Sequence, residues 1–256
     1  MYKRQNLKEY GYQNRTEKAS LMEINTIVTD VDGTITDSHS RLELNAVREI
    51  RRLESMKYPV IISSGRTFCQ IAALSIYIGT FGAVICENGG IVGHKNGDMY
   101  ILGKKENAEK GFKVLTEKLG DLVTTPKARS SYRIIDIPLE RKFPLEIGNK
   151  ILAEEGIPAH IIDTGVVFHL IGISVNEGNG LRKSSELFHL NPEKMVAIGD
   201  NLNDIDMFKT VGYSIALGNA PEETRKNADY VCKAEYGKGF KEAINHMFQE
   251  SIMKKA

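Results

Sequence analysis

The sequence is poor in cysteine. Three occur, Cys69, Cys86 and Cys232, an odd number with no paired spacing. They support neither a disulfide frame nor a zinc knuckle and read as reduced, small apolar residues of a cytoplasmic protein. Long apolar runs are also missing. None approaches the ~18–20 residues a membrane span needs, so no membrane association is expected. Neither charge sign prevails, with 34 Lys and Arg against 33 Asp and Glu for a formal net charge of +1. That balance argues against a dedicated nucleic-acid binder, which needs a basic face. The six histidines are scattered, without the paired helical spacing of a zinc protease. There is no Gly-x-Ser-x-Gly elbow of a serine hydrolase. Gly180-Leu181-Arg182-Lys183-Ser184 lacks the first glycine and the spacing of a nucleotide phosphate loop. Function must lie in local constellations.

A length of 256 residues suits one large domain or a domain with a smaller companion, and roughly 75% of the unfolded surface can be buried at this size. Residues 1–21 are polar and lack the apolar centre of a secretory signal. They read as a disordered extension ahead of an alternative start at Met22.

From Met22 onward, short apolar β-branched runs alternate with stretches of helical periodicity. Strands are expected at 24–29, 58–63 and 82–86, with helices at 41–57 and 68–78 between them. After Gly180 the alternation resumes, with helices at 181–189, 204–210 and 238–248 and strands at 195–198, 213–217 and 230–232. Asn219, Pro221 and Glu222 read as a further helix start. This is the pattern of an α/β protein whose parallel sheet is covered on both faces. The middle differs. Helices at 106–119 and 144–155, strands at 132–137, 159–162 and 166–170, and a hairpin turn at Asp163-Thr164-Gly165 suggest an α+β insertion. The expected division is a core of residues 22–90 and 176–256 split by an insertion of residues 91–175.

Asp30-Val31-Asp32-Gly33-Thr34 is the strongest chemical signal. Residues two apart on an extended chain point the same way, and the carboxyl ends of strands are where open α/β sheets bind ligands. Two neighbouring carboxylates repel, and a cation compensates them. A calcium loop fails, because the register that makes Gly33 its sixth residue puts Val28 first and His39 twelfth. Alone, the pair reads equally well as two surface aspartates in a turn. Asp200 ends another expected strand, and Asp204 follows four residues on, where a helix can turn it back over the same crevice. Capping accounts for one of these acids but not for a second carboxylate at a strand end. Four such groups make the oxygen-rich site magnesium prefers. Ser63-Ser64-Gly65-Arg66 ends a third strand and can offer hydroxyl and N–H donors to a phosphate, though Ser-Gly is also a common turn. Lys183, taken alone, is most simply a solvated helix lysine.

The ordered set Asp30-Val31-Asp32-Gly33-Thr34, Ser64-Gly65-Arg66, Lys183, and Gly199-Asp200 with Asn203-Asp204 resembles the haloacid dehalogenase superfamily of phosphohydrolases. The insertion resembles the cap of its Cof-type subgroup. The short cap and Ser131-Tyr132-Arg133-Ile134-Ile135-Asp136 are most similar to the archaeal-type phosphoglycolate phosphatases. The resemblance covers Met22 to about Phe248 and implies a Rossmann-like parallel sheet core with an inserted α+β cap domain. It implies Asp30 as the nucleophile that becomes an aspartyl phosphate, and Asp32 as the acid and base. It implies Mg2+ between Asp30, the backbone carbonyl of Asp32 and Asp200, with Asp204 binding directly or through water. Ser64, Gly65, Lys183 and Asn203 would bind substrate. The expected substrate is a small phosphorylated metabolite, 2-phosphoglycolate first. A sugar-phosphate phosphatase, a phosphomutase and a catalytically silent phosphate-binding module are the alternatives. A glycolate carboxylate calls for a basic partner in the cap, with Arg133 and Arg129 as candidates. The chain is expected to work in the cytoplasm as a monomer or homodimer.

Overall fold

A computed structural model describes residues 23–254. The expected extension at residues 1–21 lies outside the described residues. The first half of the chain runs β1 (Thr26–Thr29), α1 (Leu44–Ser55), β2 (Val60–Ser63), α2 (Phe68–Ile78), β3 (Ala83–Cys86), β4 (Ile91–His94), β5 (Met99–Ile101), α3 (Lys105–Leu119), α4 (Lys127–Ser130) and β6 (Ile137–Leu139). It continues through α5 (Leu145–Glu154), β7 (Ala159–Asp163), β8 (Phe168–Gly172), α6 (Glu177–Leu187), β9 (Met195–Gly199), α7 (Asp204–Phe208), β10 (Tyr213–Ala216), α8 (Glu222–Lys226), β11 (Tyr230–Val231) and α9 (Tyr236–Gln249).

Strands β11-β10-β9-β1-β2-β3-β4-β5 form one sheet. The pairs from β11 through β3 are parallel, and β4 and β5 are added antiparallel. Residues 91–94 and 99–101, expected within the insertion, are therefore strands of this main sheet. The expected α/β class holds, for the expected reason: β1, β2, β3, β9 and β10 are buried along their whole length. Alternate residues serve opposite faces. Ile27, Ile62, Val84 and Ile198 pack with Ile50, Leu53, Phe240 and Ile244 on one side. Val28, Ile61, Ile85 and Ala197 pack with Leu181 and Met207 on the other. Each such side chain contributes about 1.5–3 kcal/mol by leaving water, and the two layers hold the strand ends in line.

A second, antiparallel sheet runs β6-β8-β7. It has its own core, in which Ala108 and Leu115 of α3 and Leu152 of α5 meet Leu139, Ile161 and Leu170.

Two expectations need correction. Residues 132–136 are irregular rather than strand, and the extended stretch begins at Ile137. The reason lies in Glu87, whose buried carboxylate accepts the N–H groups of Ile134 at 3.0 Å and Ile135 at 2.7 Å. It thereby satisfies donors that a neighbouring strand would otherwise have taken. The second concerns α6, which starts at Glu177 rather than near residue 181, because the Asn176 side chain caps it by accepting the Asn179 N–H at 2.8 Å. Gly89 helps set that start. Its φ is +92°, and a Cβ there would lie 2.0 Å from the Asn176 carbonyl oxygen, so only glycine lets the two segments meet.

Candidate active site

Parallel pairing puts the carboxyl ends of β10, β9, β1, β2 and β3 side by side along one edge, which is where this architecture binds ligands. Asp30 follows β1 directly, is 6% exposed, and is tied to β9 by donating its N–H to the Ile198 carbonyl at 3.1 Å. The strand stops at Thr29, so Asp32 is delivered by a turn instead of by strand alternation. Gly33 makes that turn with a φ of +90°, and a Cβ there would fall 2.2 Å from the Asp200 carboxylate. The absence of a side chain is what lets Asp200 close on the turn. Arg66 grips Asp32 with two charge-assisted bonds of 2.6 Å each.

Asp200 receives the Thr34 hydroxyl at 2.6 Å on one oxygen and the Asn219 amide at 2.8 Å on the other. Asp204, fully buried in the first turn of α7, accepts the N–H groups of Asp200 and Asn201 at 2.8 Å each through Oδ2. Its Oδ1 has no hydrogen-bond partner. Ser64 is buried after β2, and Gly65 follows it. Both line a pocket with Asp30, Asp32, Arg66 and Asn203 on the main-sheet side and Arg133, Val166 and His169 on the insertion side.

Of the site residues expected from sequence, Asp30, Asp32, Ser64, Gly65, Asn203, Asp200 and Asp204 thus gather at one end of the sheet. Lys183 does not join them and must be corrected. It lies on an outer face of α6 and pairs with Glu186 at 2.8 Å. Its place is taken by Glu177, which is 1% exposed and receives the Asn203 amide at 3.1 Å. Six helical positions separate 177 from 183, which turns the two side chains about 120° apart. Only one of them can face the crevice. Glu177, Thr34 and Asn219 are the site residues that sequence reasoning missed. The Asn176 cap was a usable signal for the first, since it fixes where the helix begins. Thr34 and Asn219 carry no such signal, because each acts only through its distant partner Asp200.

The electrostatics are one-sided. Burial pushes the Asp30 carboxyl well above its ordinary range, and the charges of Asp204, Asp200 and Glu177 push it further. Asp204 is raised in the same way, by burial and then by Glu177 and Asp200. Burial lifts Asp200 to about 6 although Thr34 donates to it, and lifts Glu177 to about 7 although Asn203 does. These groups resist being charged together unless a cation joins them. One oxygen from each of Asp30, Glu177 and Asp204 lies within 4.8 Å of the other two, and both Glu177 Oε2 and Asp204 Oδ1 are buried without partners. The residues present fit a hard divalent cation.

The insertion side is balanced instead. Arg133 Nη1 donates to Asp136 at 2.7 and 2.8 Å and to the Gly65 carbonyl at 3.0 Å, and His169 also meets Asp136. Burial alone would raise the Asp136 pKa, but His169 and Arg133 outweigh it and hold it below the ordinary value. The side chain of Arg129, the other basic candidate, lies outside the described residues.

A family model described as haloacid dehalogenase-like hydrolase matches residues 27–125 and 160–244. The chain belongs to this family. A phosphoglycolate phosphatase of Methanococcoides burtonii is 36% identical over 91% of this chain and 100% of its own length. One of Methanosarcina acetivorans is 38% identical over 88% of this chain and 97% of its own. A solved Thermoplasma acidophilum structure superposes with a TM-score of 0.78 at 24% identity, over 90% of this chain and 100% of that one, and shares its fold. As a haloacid dehalogenase-like hydrolase, the chain is an enzyme that carries its acidic residues at the ligand-binding edge of the sheet. No helix among the described residues is long and apolar enough to cross a membrane.

Proposed function

We propose that this hydrolase is a Mg2+-dependent phosphatase that converts 2-phosphoglycolate to glycolate and phosphate through an aspartyl phosphate on Asp30. The observation that carries this reading is the convergence of Asp30 and Asp32, which follow β1, with Asp200, which follows β9, under a pocket floored by acids and roofed by Arg133. The name shared by the archaeal relatives selects the substrate.

Asp30 attacks phosphorus and the ester oxygen leaves, taking a proton from Asp32. The Asp32 carboxylate then removes a proton from water as that water attacks phosphorus, and Asp30 is released with inorganic phosphate. Arg66 serves this exchange by position: its two-point grip fixes Asp32 at the pocket wall. The Ser64 hydroxyl and the Gly65 N–H suit the phosphate oxygens, and Asn203 borders the same space. Asp30, the Asp32 carbonyl and Asp200 would hold the magnesium ion, with Asp204 bracing the Asp200 loop through its two N–H bonds. When bound, the ion supplies screening between Asp30 and the anionic ester and stabilises transition-state charge. Arg133 suits the glycolate carboxylate at the far end of the substrate. Three free cysteines, two of them buried, suit a reducing cytoplasm.

A panel of small phosphate esters assayed with magnesium and with a chelator tests the reading. Phosphoglycolate should be hydrolysed fastest, and only with the metal. Equal rates on neutral sugar phosphates would remove the substrate assignment, and undiminished hydrolysis under chelation would remove the metal.

A further inference from the structure

Glu177 takes no part in the proposed reaction, yet it is one of the most deeply buried acids of the chain, at 1% exposure. Its place on the first turn of α6 is fixed by the Asn176 cap and by the contact of Gly89 with the Asn176 carbonyl. One of its oxygens accepts the Asn203 amide at 3.1 Å, and the other accepts nothing. Asp204 repeats the pattern, with Oδ2 holding two N–H groups and Oδ1 holding none. The fully buried Ser63 hydroxyl approaches Glu177 without forming a hydrogen bond of normal geometry. Leaving buried oxygens unsatisfied is unfavourable, and more so where they are charged. Several such atoms in one place call for a ligand.

The charge count calls for more than one. Five carboxylates meet at this end of the sheet: Asp30, Asp32, Glu177, Asp200 and Asp204. Arg66 neutralises Asp32. Among the described residues no ion pair reaches the other four, which together can carry four negative charges. A single divalent ion offsets half of that. Position separates the groups as well. Oxygens of Asp30, Glu177 and Asp204 form one mutually close set that does not include Asp200, and Asp200 has its own partners in Thr34 and Asn219.

We propose that Asp30, Glu177 and Asp204 hold a second divalent cation, distinct from the ion between Asp30 and Asp200 and sharing the Asp30 carboxylate with it. Three hard oxygen donors in this set suit metal–oxygen bonds of about 2.0–2.6 Å. The second ion also restores what the fold otherwise lacks on this side. The helix from which the family resemblance implies a lysine for the phosphate presents a carboxylate, and a cation seated on that carboxylate brings positive charge beside Asp30.

The inference rests on the cation-binding part of the proposed function, and counting bound metal separates the two. Protein freed of metal is equilibrated with Mn2+ alone, and bound ions are counted by electron paramagnetic resonance. The wild type should bind two Mn2+ per chain, with spin–spin broadening between neighbouring ions. Glu177→Gln should bind one and lose the broadening. Glu177→Lys, which carries its own ammonium group into the set, should also bind one, with circular dichroism confirming that both variants are folded. A wild-type count of one, or a count of two retained by folded Glu177→Gln, overturns the second site while leaving the first. A count of zero overturns both. Should either variant fail to fold, the wild-type count and its broadening decide alone.

Discussion

The two sides of the pocket solve the problem of buried charge in opposite ways. The insertion side holds Arg133, Asp136 and His169 in a set whose charges offset one another within hydrogen-bond distance. The main-sheet side gathers Asp30, Glu177, Asp200 and Asp204, whose charges raise one another's pKa values and whose oxygens are partly orphaned. A charge-balanced cluster keeps its shape before any ligand arrives, so it presents Arg133 to the pocket from a rigid wall. A repulsive one is incomplete, and the energy stored in that repulsion becomes binding energy for cations.

The largest effect tests the repulsive side. Asp30→Asn should lower phosphatase turnover by at least ~10⁴-fold, as loss of a nucleophile does, and should leave the metal-free fold as stable as the parent or more so, because one repelling charge is gone. Near-normal turnover would take the nucleophile role from Asp30. Breaking the balanced side should act on stability instead. Asp136→Ala strands the buried Arg133 and should cost about 3–5 kcal/mol, read as a lowered denaturation midpoint. A loss below about 1 kcal/mol would mean the cluster is not the rigid wall described.

Metal removal sharpens the contrast through pH. Glu177 and Asp200 have folded pKa values of about 7 and about 6, above their ordinary values of 4.5 and 3.8. A group raised on folding favours the native state while it is protonated, and that contribution is lost as pH rises through the folded value. The chelated protein should therefore lose stability between about pH 4 and pH 7, and divalent cation should restore it at pH 7. Asp136 runs the other way. Its value is depressed, so its contribution is present above the ordinary carboxylate range and lost as pH falls through the folded value, with or without metal. A flat profile across pH 4–7 in chelator would deny the stored repulsion. The smallest effect belongs to Lys183→Ala. It removes one exposed pair with Glu186, and a change within about 0.5 kcal/mol in stability and within about twofold in kcat/KM is expected. A tenfold loss of kcat/KM would return Lys183 to the phosphate.

Much of the site was legible because strand ends are local. Asp30 and Asp200 each follow an apolar β-branched run, and a parallel sheet must bring such ends to one edge. Asp204 follows Asp200 by four residues, at the start of α7, and needed no further information. Lys183 misled because a helix places residues by angle, and the angle depends on where the helix starts. The Asn176 cap set that start four residues earlier than the apolar pattern indicated, and Glu177 entered the crevice instead. Residues 132–136 misled for a related reason. Their alternation suits a strand, but the Glu87 carboxylate from a distant turn claimed their donors.

Sequence by itself determined the α/β class, the inserted second sheet and the identities of the strand-end acids, because apolar periodicity and short-range spacing act over a few residues. Long-range contacts decided that Arg66 holds Asp32, that Thr34 and Asn219 hold Asp200, and that Glu177, whose helix start Asn176 marks locally, reaches the same crevice. Those choices are contacts between segments up to 166 positions apart. They are fixed by glycine-permitted close approach and by the cost of leaving buried polar groups unpaired, and no local pattern encodes either.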